Sequence, residues 1–387
     1  MSTDLVVVYS PVGGGHKSAA LATAEAARAR GLSVEVVDAF AHAPRWAGEA
    51  YVGAHLTGQS AAPELYGQMY FAANRRGDAL EPLRLGLDNL VFGGLADHVR
   101  SLAPRAIVAT HHLPLVVLGR ARRKGTLDAP LLGVVTDYTA HACWAERGVD
   151  AWAVPLGGAR EELAGHGVSR ERIFETGIPV RSAFTRIAAL TSLPKTLRVL
   201  VTSGGFGHGP MTHIVRSFVD VPDVELTVVC GAAERLASRV AREAELAGVP
   251  ARILGFERDM AARVAEAHVV VGKAGGLTVS ETLTAGRAMV VASAVPGNEK
   301  RNEVFVVEGR RRRRGGRRRR KDDRALAPRH SPPRHGRARS AARPTRRRGC
   351  GGGGSPRAAR SRAPRGLAPL RRARSLDVSA SAWRGQQ

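Results

Sequence analysis

Cysteine is scarce in this 387-residue chain: Cys143, Cys230 and Cys350 stand far apart and without CxxC spacing. That argues against a disulfide framework and against a cysteine zinc site. Long apolar runs are missing too. The stretch Leu5–Tyr9 is short and lacks a basic flank, so it does not read as a secretory signal. Nothing approaches the ~20 apolar residues that a membrane-spanning helix needs. The expectation is an intracellular protein whose membrane contact is peripheral. Asp-x-Asp pairs are absent from residues 1–308, and with them a common means of holding a diphosphate through a divalent metal. The chain has 18 aromatic residues, but six of them, Phe40, Trp46, Tyr51, Tyr66, Tyr70 and Phe71, fall within 32 positions. Such a cluster suits a lipid-facing surface, and equally the packing of a first domain.

Charge is present but unevenly spread. The net charge of +25 suggests a nucleic-acid binder, yet Gly309–Gln387 holds 27 Lys and Arg against 3 Asp and Glu. Residues 1–308 keep 32 basic and 31 acidic residues and are nearly neutral. The tail is Arg, Gly, Pro, Ala and Ser with almost no aliphatic side chains, so it cannot bury enough surface to fold. Two readings stand for it. One is a disordered arm for nucleic acid or anionic lipid. The other is an out-of-frame (frameshift) product of a GC-rich gene, which the abrupt loss of periodicity in mid-domain favours.

Before the tail, strands and helices alternate, which predicts an α/β protein with parallel sheets. Leu5–Tyr9 reads as a buried strand, Ser18–Arg30 as an alanine-rich helix, and Ser33–Val37 as a second strand ending at Asp38. Ala106–Thr110, Leu131–Thr136 and Ala151–Val154 continue the first series. The second series has strands at Leu197–Thr202, Glu225–Cys230, Arg252–Leu254, His268–Val271 and Ala288–Ala292. Pro194 and small polar residues make 187–196 the expected linker. Residues 1–186 and 197–308 then form two doubly wound, Rossmann-like domains facing a cleft.

Three glycine loops follow strands. In Val12-Gly13-Gly14-Gly15-His16-Lys17-Ser18 the residue before the lysine is histidine, which departs from a Walker A loop. Gly13 and Gly15 with Asp38 partly match a dinucleotide fingerprint, so an NAD(P) oxidoreductase stays under consideration. His16 at a helix start has its charged form disfavoured and can accept a proton, or it can simply cap the helix. The others are Ser203-Gly204-Gly205-Phe206-Gly207 and Gly272-Lys273-Ala274-Gly275-Gly276-Leu277-Thr278, with Glu281 three residues further. Thr278 and Glu281 can form a capping box. Alternatively, the N–H groups of 275–277 hold a diphosphate without a metal while Glu281 binds ribose.

These segments, with Thr136-Asp137-Tyr138-Thr139-Ala140-His141, Trp144, Thr176-Gly177-Ile178-Pro179 and Pro296-Gly297-Asn298-Glu299, resemble the monogalactosyldiacylglycerol synthase family. That family includes processive diacylglycerol glucosyltransferases and is similar, more distantly, to the peptidoglycan N-acetylglucosaminyltransferase. The resemblance runs over about residues 5–308. It implies a GT-B fold and inverting, metal-independent transfer of a hexose from a UDP-sugar to diacylglycerol, with no cofactor, at the cytoplasmic face of an anionic cell membrane. It makes His16 the base and puts Gly14, Gly15, Asp137 and His141 on the acceptor side. The diphosphate falls to Gly204, Gly205, Phe206, Gly275, Gly276, Leu277 and Thr278, ribose to Glu281, and the sugar to Asn298 and Glu299. Asn298 stands where the family usually has glutamine, which leaves glucose and galactose both open. It also implies that the donor domain here lacks its last helices. Competing readings are a UDP-N-acetylglucosamine transferase with another lipid-linked acceptor, the NAD(P) oxidoreductase, and a nucleic-acid binder acting through its tail.

Overall fold

The computed structural model describes residues 3–307 except 62–63, 66, 69–73, 75–80, 157, 193, 206 and 208, all within one compact unit. The Arg-rich tail, Tyr66, Tyr70, Phe71 and Phe206 lie outside the described residues.

Two wholly parallel sheets organise the chain. The first has the order β2-β1-β3-β4-β5-β6, with β1 (Leu5–Tyr9), β2 (Val34–Asp38), β3 (Ala106–Ala109), β4 (Leu131–Val134), β5 (Ala151–Val154) and β6 (Ile173–Glu175). The second has the order β11-β10-β7-β8-β9, with β7 (Leu197–Thr202), β8 (Val224–Val229), β9 (Ala251–Leu254), β10 (Val269–Lys273) and β11 (Ala288–Ser293). The helices of the first series are α1 (Gly14–Arg28), α2 (Arg45–Ala61), α3 (Glu81–Ser101), α4 (His112–Arg123), α5 (Ala159–Gly165) and α6 (Ser182–Thr185). Those of the second are α7 (Met211–Arg216), α8 (Glu234–Leu246), α9 (Met260–Glu266) and α10 (Gly276–Thr284), and residues 298–307 form α11. This is the two-sheet α/β architecture of the GT-B class.

β1 shows why a continuous apolar run makes an interior parallel strand. Val6 and Val8 enter one hydrophobic cluster while Val7 and Tyr9 enter another on the opposite face. Five alanines of α1 (Ala19, Ala20, Ala22, Ala24 and Ala27) are buried, and their small side chains let the helix lie close to the sheet. The two cores are also joined. Ala19 and Tyr138 pack in one cluster with Ile178, Phe184, Leu200, Val229 and Leu277. The segment before the expected linker is therefore already part of the second half's core.

Two helix starts differ from the sequence expectation. α1 begins at Gly14 rather than Ser18, so His16 sits inside its first turn. α10 begins at Gly276, with Gly275 in extended conformation as its N-cap. Thr278 is therefore two residues inside the helix, and with Glu281 it forms no capping box. Glycine lets the turn close tightly, so the helix starts before the first side chain that could cap it.

Candidate active site

In each sheet the strand order reverses beside the first strand of its series: β1 has β2 on one side and β3 on the other, and β7 has β8 and β10. The carboxyl ends of strands at such a switch point leave a crevice. The loop bearing Gly13–His16 leaves β1, and those bearing Gly204–Gly205 and Ala274–Gly276 leave β7 and β10. All three glycine loops thus stand at switch points.

They also meet. A side-chain carbon added at Gly14 would lie 4.0 Å from the Cα of Gly205, and one at Gly15 would lie 3.5 Å from Leu277. One at Gly276 would lie 2.0 Å from the carbonyl oxygen of Thr136, two residues past the end of β4. The halves approach backbone to backbone, and at 276 no side chain fits, whereas at 14 and 205 an added carbon would make ordinary contact. Gly13 (φ 86°) and Gly204 (φ 73°) have positive φ, which glycine adopts without strain.

His16 is held at both ends. Its Nδ1 lies 2.9 Å from the Thr110 carbonyl and 2.9 Å from Thr136 Oγ1, while Thr110 Oγ1 donates to the His16 carbonyl at 2.9 Å. A carbonyl can only accept, so Nδ1 carries the ring proton and Nε2 keeps its lone pair. The His111 ring packs edge-on at 4.4 Å. Burial holds the His16 pKa below the ordinary 6.5, against the opposing pull of Asp137 and the Thr110 carbonyl. At neutral pH the imidazole is uncharged and basic at Nε2.

The donor-side helix start is open. Val279 N–H makes the first bond back, to Gly275, and Gly275 offers no side-chain cap. The N–H groups of Gly276, Leu277 and Thr278 thus have no intrahelical partner, and the α1 start is likewise without a side-chain cap. Such a first turn favours anionic oxygen. Glu281, one turn further, is pushed up to about 7 by burial, with Arg181 pulling it down.

Other expected site residues are engaged by partners within the protein, and Asp137 and Asn298 bridge the two halves. Asp137 accepts from Asn298 Nδ2 at 3.1 Å and from Asn302 Nδ2 at 2.9 Å. Glu299 binds Lys273 Nζ at 3.1 Å through one oxygen and accepts from Val295 N–H at 2.9 Å through the other. His141 is buried and caps the turn Ala142–Trp144, its Nδ1 accepting from Cys143 N–H at 3.2 Å. Asp38 accepts from Phe40 N–H at 2.9 Å and caps the turn after β2, the position at which the dinucleotide reading needed a ribose ligand. Among the described aromatics of the 40–71 cluster, Phe40 and Tyr51 pack against the first core, and Trp46 is 69% exposed.

Several residues went unnoticed in the sequence. Asn302, 0% exposed, spends its whole amide on the junction: its Oδ1 accepts from Tyr138 N–H at 2.8 Å, and its Nδ2 donates to Asp137 and to the Ala274 carbonyl at 3.0 Å. Tyr138 OH lies 2.9 Å from Ser280 Oγ. Arg301 of α11 pairs with Glu162 of α5, which also accepts from Ala140 N–H at 2.6 Å. Asn298 and Asn302 are four apart, a helical face that becomes readable once α11 is known.

Residues 16–180 match the family described as monogalactosyldiacylglycerol (MGDG) synthase. A processive diacylglycerol beta-glucosyltransferase of Bacillus thuringiensis (strain Al Hakam) is 24% identical over 310 residues, covering 78% of this chain and 79% of that protein. The enzyme of the same name from Bacillus cereus (strain B4264) is 24% identical over 311 residues, with the same coverage. Among solved structures, Acinetobacter baumannii MurG is similar at 18% identity and a TM-score of 0.49, covering 79% of this chain and 84% of that one. The chain is thus similar to monogalactosyldiacylglycerol synthase over residues 16–180 and to processive diacylglycerol beta-glucosyltransferases over most of its length.

Proposed function

We propose that this chain transfers a hexose from a UDP-sugar to the free hydroxyl of diacylglycerol, with inversion. Residues 1–186 take the lipid and 197–308 the nucleotide sugar, joined by 187–196. His16 Nε2 removes the hydroxyl proton as that oxygen attacks the anomeric carbon. The bond from that carbon to the diphosphate breaks, and UDP leaves with the electron pair. The free N–H groups of Gly276, Leu277 and Thr278 stabilise its charge, Gly204, Gly205 and Phe206 are also assigned to the diphosphate, and Glu281 to the ribose. The transfer needs neither cofactor nor resident metal. Asn298 and Glu299 reach the sugar from the junction, and Asp137 and His141 border the acceptor.

The observation that carries this reading is His16 itself: an uncharged imidazole with its proton fixed on Nδ1, in the first turn of a helix whose Gly14 and Gly15 approach Gly205 and Leu277. The named activity of the Bacillus relatives supports diacylglycerol as acceptor and glucose as the sugar. The relatives do not favour the oxidoreductase or the nucleic-acid reading. Among the described residues no helix is long and apolar enough to cross a membrane. Peripheral binding on the inner face of the cell membrane fits the exposed Trp46.

The test is UDP release from UDP-glucose, UDP-galactose and UDP-N-acetylglucosamine with diacylglycerol in detergent. Release that depends on the lipid, persists in EDTA and is lost in His16→Ala supports the reading. Activity equal to wild type in that variant removes the base assignment. Strict preference for UDP-N-acetylglucosamine moves the enzyme to the alternative substrate class.

A further inference from the structure

We propose that Thr136 is a positioning residue for the transfer, setting the aim of the His16 ring and its placement against the donor loop. The inference rests on the reading of His16 as base. Thr136 is 3% exposed and lies two residues past the end of β4. Two of its atoms face opposite halves. Its hydroxyl oxygen is 2.9 Å from His16 Nδ1. Its carbonyl oxygen is packed against Gly276, the first residue of α10, so closely that no side chain fits between them. One residue therefore touches the ring that is to take the proton and the helix start that is to hold the leaving group.

The ring proton has two acceptors, the Thr110 carbonyl and the Thr136 hydroxyl, both at 2.9 Å. The carbonyl fixes the tautomer and cannot be removed by substitution. Thr110 Oγ1 is engaged with the His16 backbone, so changing that side chain would disturb the helix start as well. The Thr136 hydroxyl is the removable group. With one acceptor the ring can rotate about its remaining bond, and Nε2 loses its fixed aim. Reaction rates are sensitive to small misplacements of a base. The other groups facing the ring are His111, edge-on at 4.4 Å, and the charge of Asp137.

The direction of a pH effect follows. An imidazolium N–H is the stronger donor, so an acceptor on Nδ1 stabilises the charged ring more than the neutral one. Removing that acceptor lowers the pKa of His16, and the acid limb of the rate profile moves to lower pH. A residue that merely filled space would leave the limb where it is.

The experiment compares Thr136→Val, which keeps the branched shape, with Thr136→Ser, which keeps the hydroxyl, and with His16→Ala. Thr136→Val is expected to lower kcat roughly threefold to tenfold, to leave the KM for the UDP-sugar essentially unchanged, and to shift the acid limb downward. Thr136→Ser restores both. If His16→Ala is inactive while Thr136→Val keeps the wild-type kcat and acid limb, the positioning role is overturned and the base survives. If His16→Ala is active, the base reading fails and the positioning role with it. Imidazole 15N spectra of the wild-type chain, assigned by difference from a folded His16→Ala, read the tautomer directly. Protonated Nδ1 on His16 agrees with the proposal, and protonated Nε2 overturns it.

Discussion

The rings of Tyr138 and Phe305 stack across the junction of the two halves, their centroids 4.0 Å apart and their planes 18° from parallel. Tyr138 belongs to the loop after β4 and Phe305 to α11, so a late helix covers an early loop. Beside that stack Asn302 makes three hydrogen bonds with its amide, two donated and one accepted. At this junction Asn302 is fully buried, while Asp137 is partly exposed.

Asn302→Leu should therefore be among the most damaging single changes outside the glycine loops. It strands the Tyr138 N–H, the Ala274 carbonyl and one oxygen of Asp137 in a buried place. We expect a loss of about 2–4 kcal/mol, since buried groups left unpaired cost 1–3 kcal/mol each and partly relax. Thermal denaturation at pH 7 measures it, and a melting temperature equal to wild type would show that the bridge contributes nothing.

Gly276→Ala and Gly15→Ala make a matched pair. Both are in first turns of helices, where alanine is otherwise well accepted. At Gly276 the added methyl meets the Thr136 carbonyl at 2.0 Å, whereas at Gly15 it meets the Leu277 side chain at an ordinary 3.5 Å. Gly276→Ala should cost about 1–3 kcal/mol by forced separation, and activity should fall steeply. Gly15→Ala should stay within about 1 kcal/mol of wild type. Equal effects in denaturation and UDP-release assays would contradict the close approach.

Activity should persist into mildly acidic solution. Burial keeps the His16 pKa below 6.5, so the base is lost only as pH falls through that lowered value. The plot of kcat/KM against pH should have the midpoint of its acid limb below 6.5. A bend above 6.5 would place the acid limb on another group.

Glu281 carries the opposite pH signature in stability. Its folded-state pKa of about 7 exceeds the ordinary 4.5, because burial disfavours the carboxylate. The folded chain therefore binds this proton more tightly than the unfolded chain, and stability is lost as pH rises from about 4.5 to 7. Glu281→Gln removes that loss. The variant should melt higher than wild type at pH 8, by at most about 3 kcal/mol in stability, and show no gain at pH 4. UDP binding, followed by calorimetry, should weaken in the same variant. A stability gain equal at both pH values would show that the carboxyl does not titrate as its burial implies.

Much of the fold was legible where burial and composition agree. Leu5–Tyr9 is apolar on both faces because both faces are covered, and such a run announces itself. β6 did not: only Ile173 is buried, Phe174 is 53% exposed and Glu175 is exposed, so neither run nor alternation marks the strand. The six-residue α7 is too short for a helical period to emerge. Within the site, the glycines and His16 were readable because loops at strand ends constrain residue type. Thr136 and Asn302 were not, since their importance lies in what they touch across 120 and 164 positions of sequence. A threonine after a strand and an asparagine on a helix are ordinary until the second half is in place. Asp137 and Glu299 were noticed as chemistry-bearing, and both have carboxylates taken up by partners from other segments.

The keying of α11 into the loop after β4 bears on how the protein is made. All six strands of the first sheet are available once Glu175 has left the ribosome. Asp137 and Tyr138 nevertheless wait for Asn298, Asn302 and Phe305 before their polar and aromatic surfaces are covered. Contacts of such long sequence separation form late. During synthesis the first half therefore emerges as an ordered sheet with an unfinished rim, exposed to solvent and to chaperones until the last described helix closes over it.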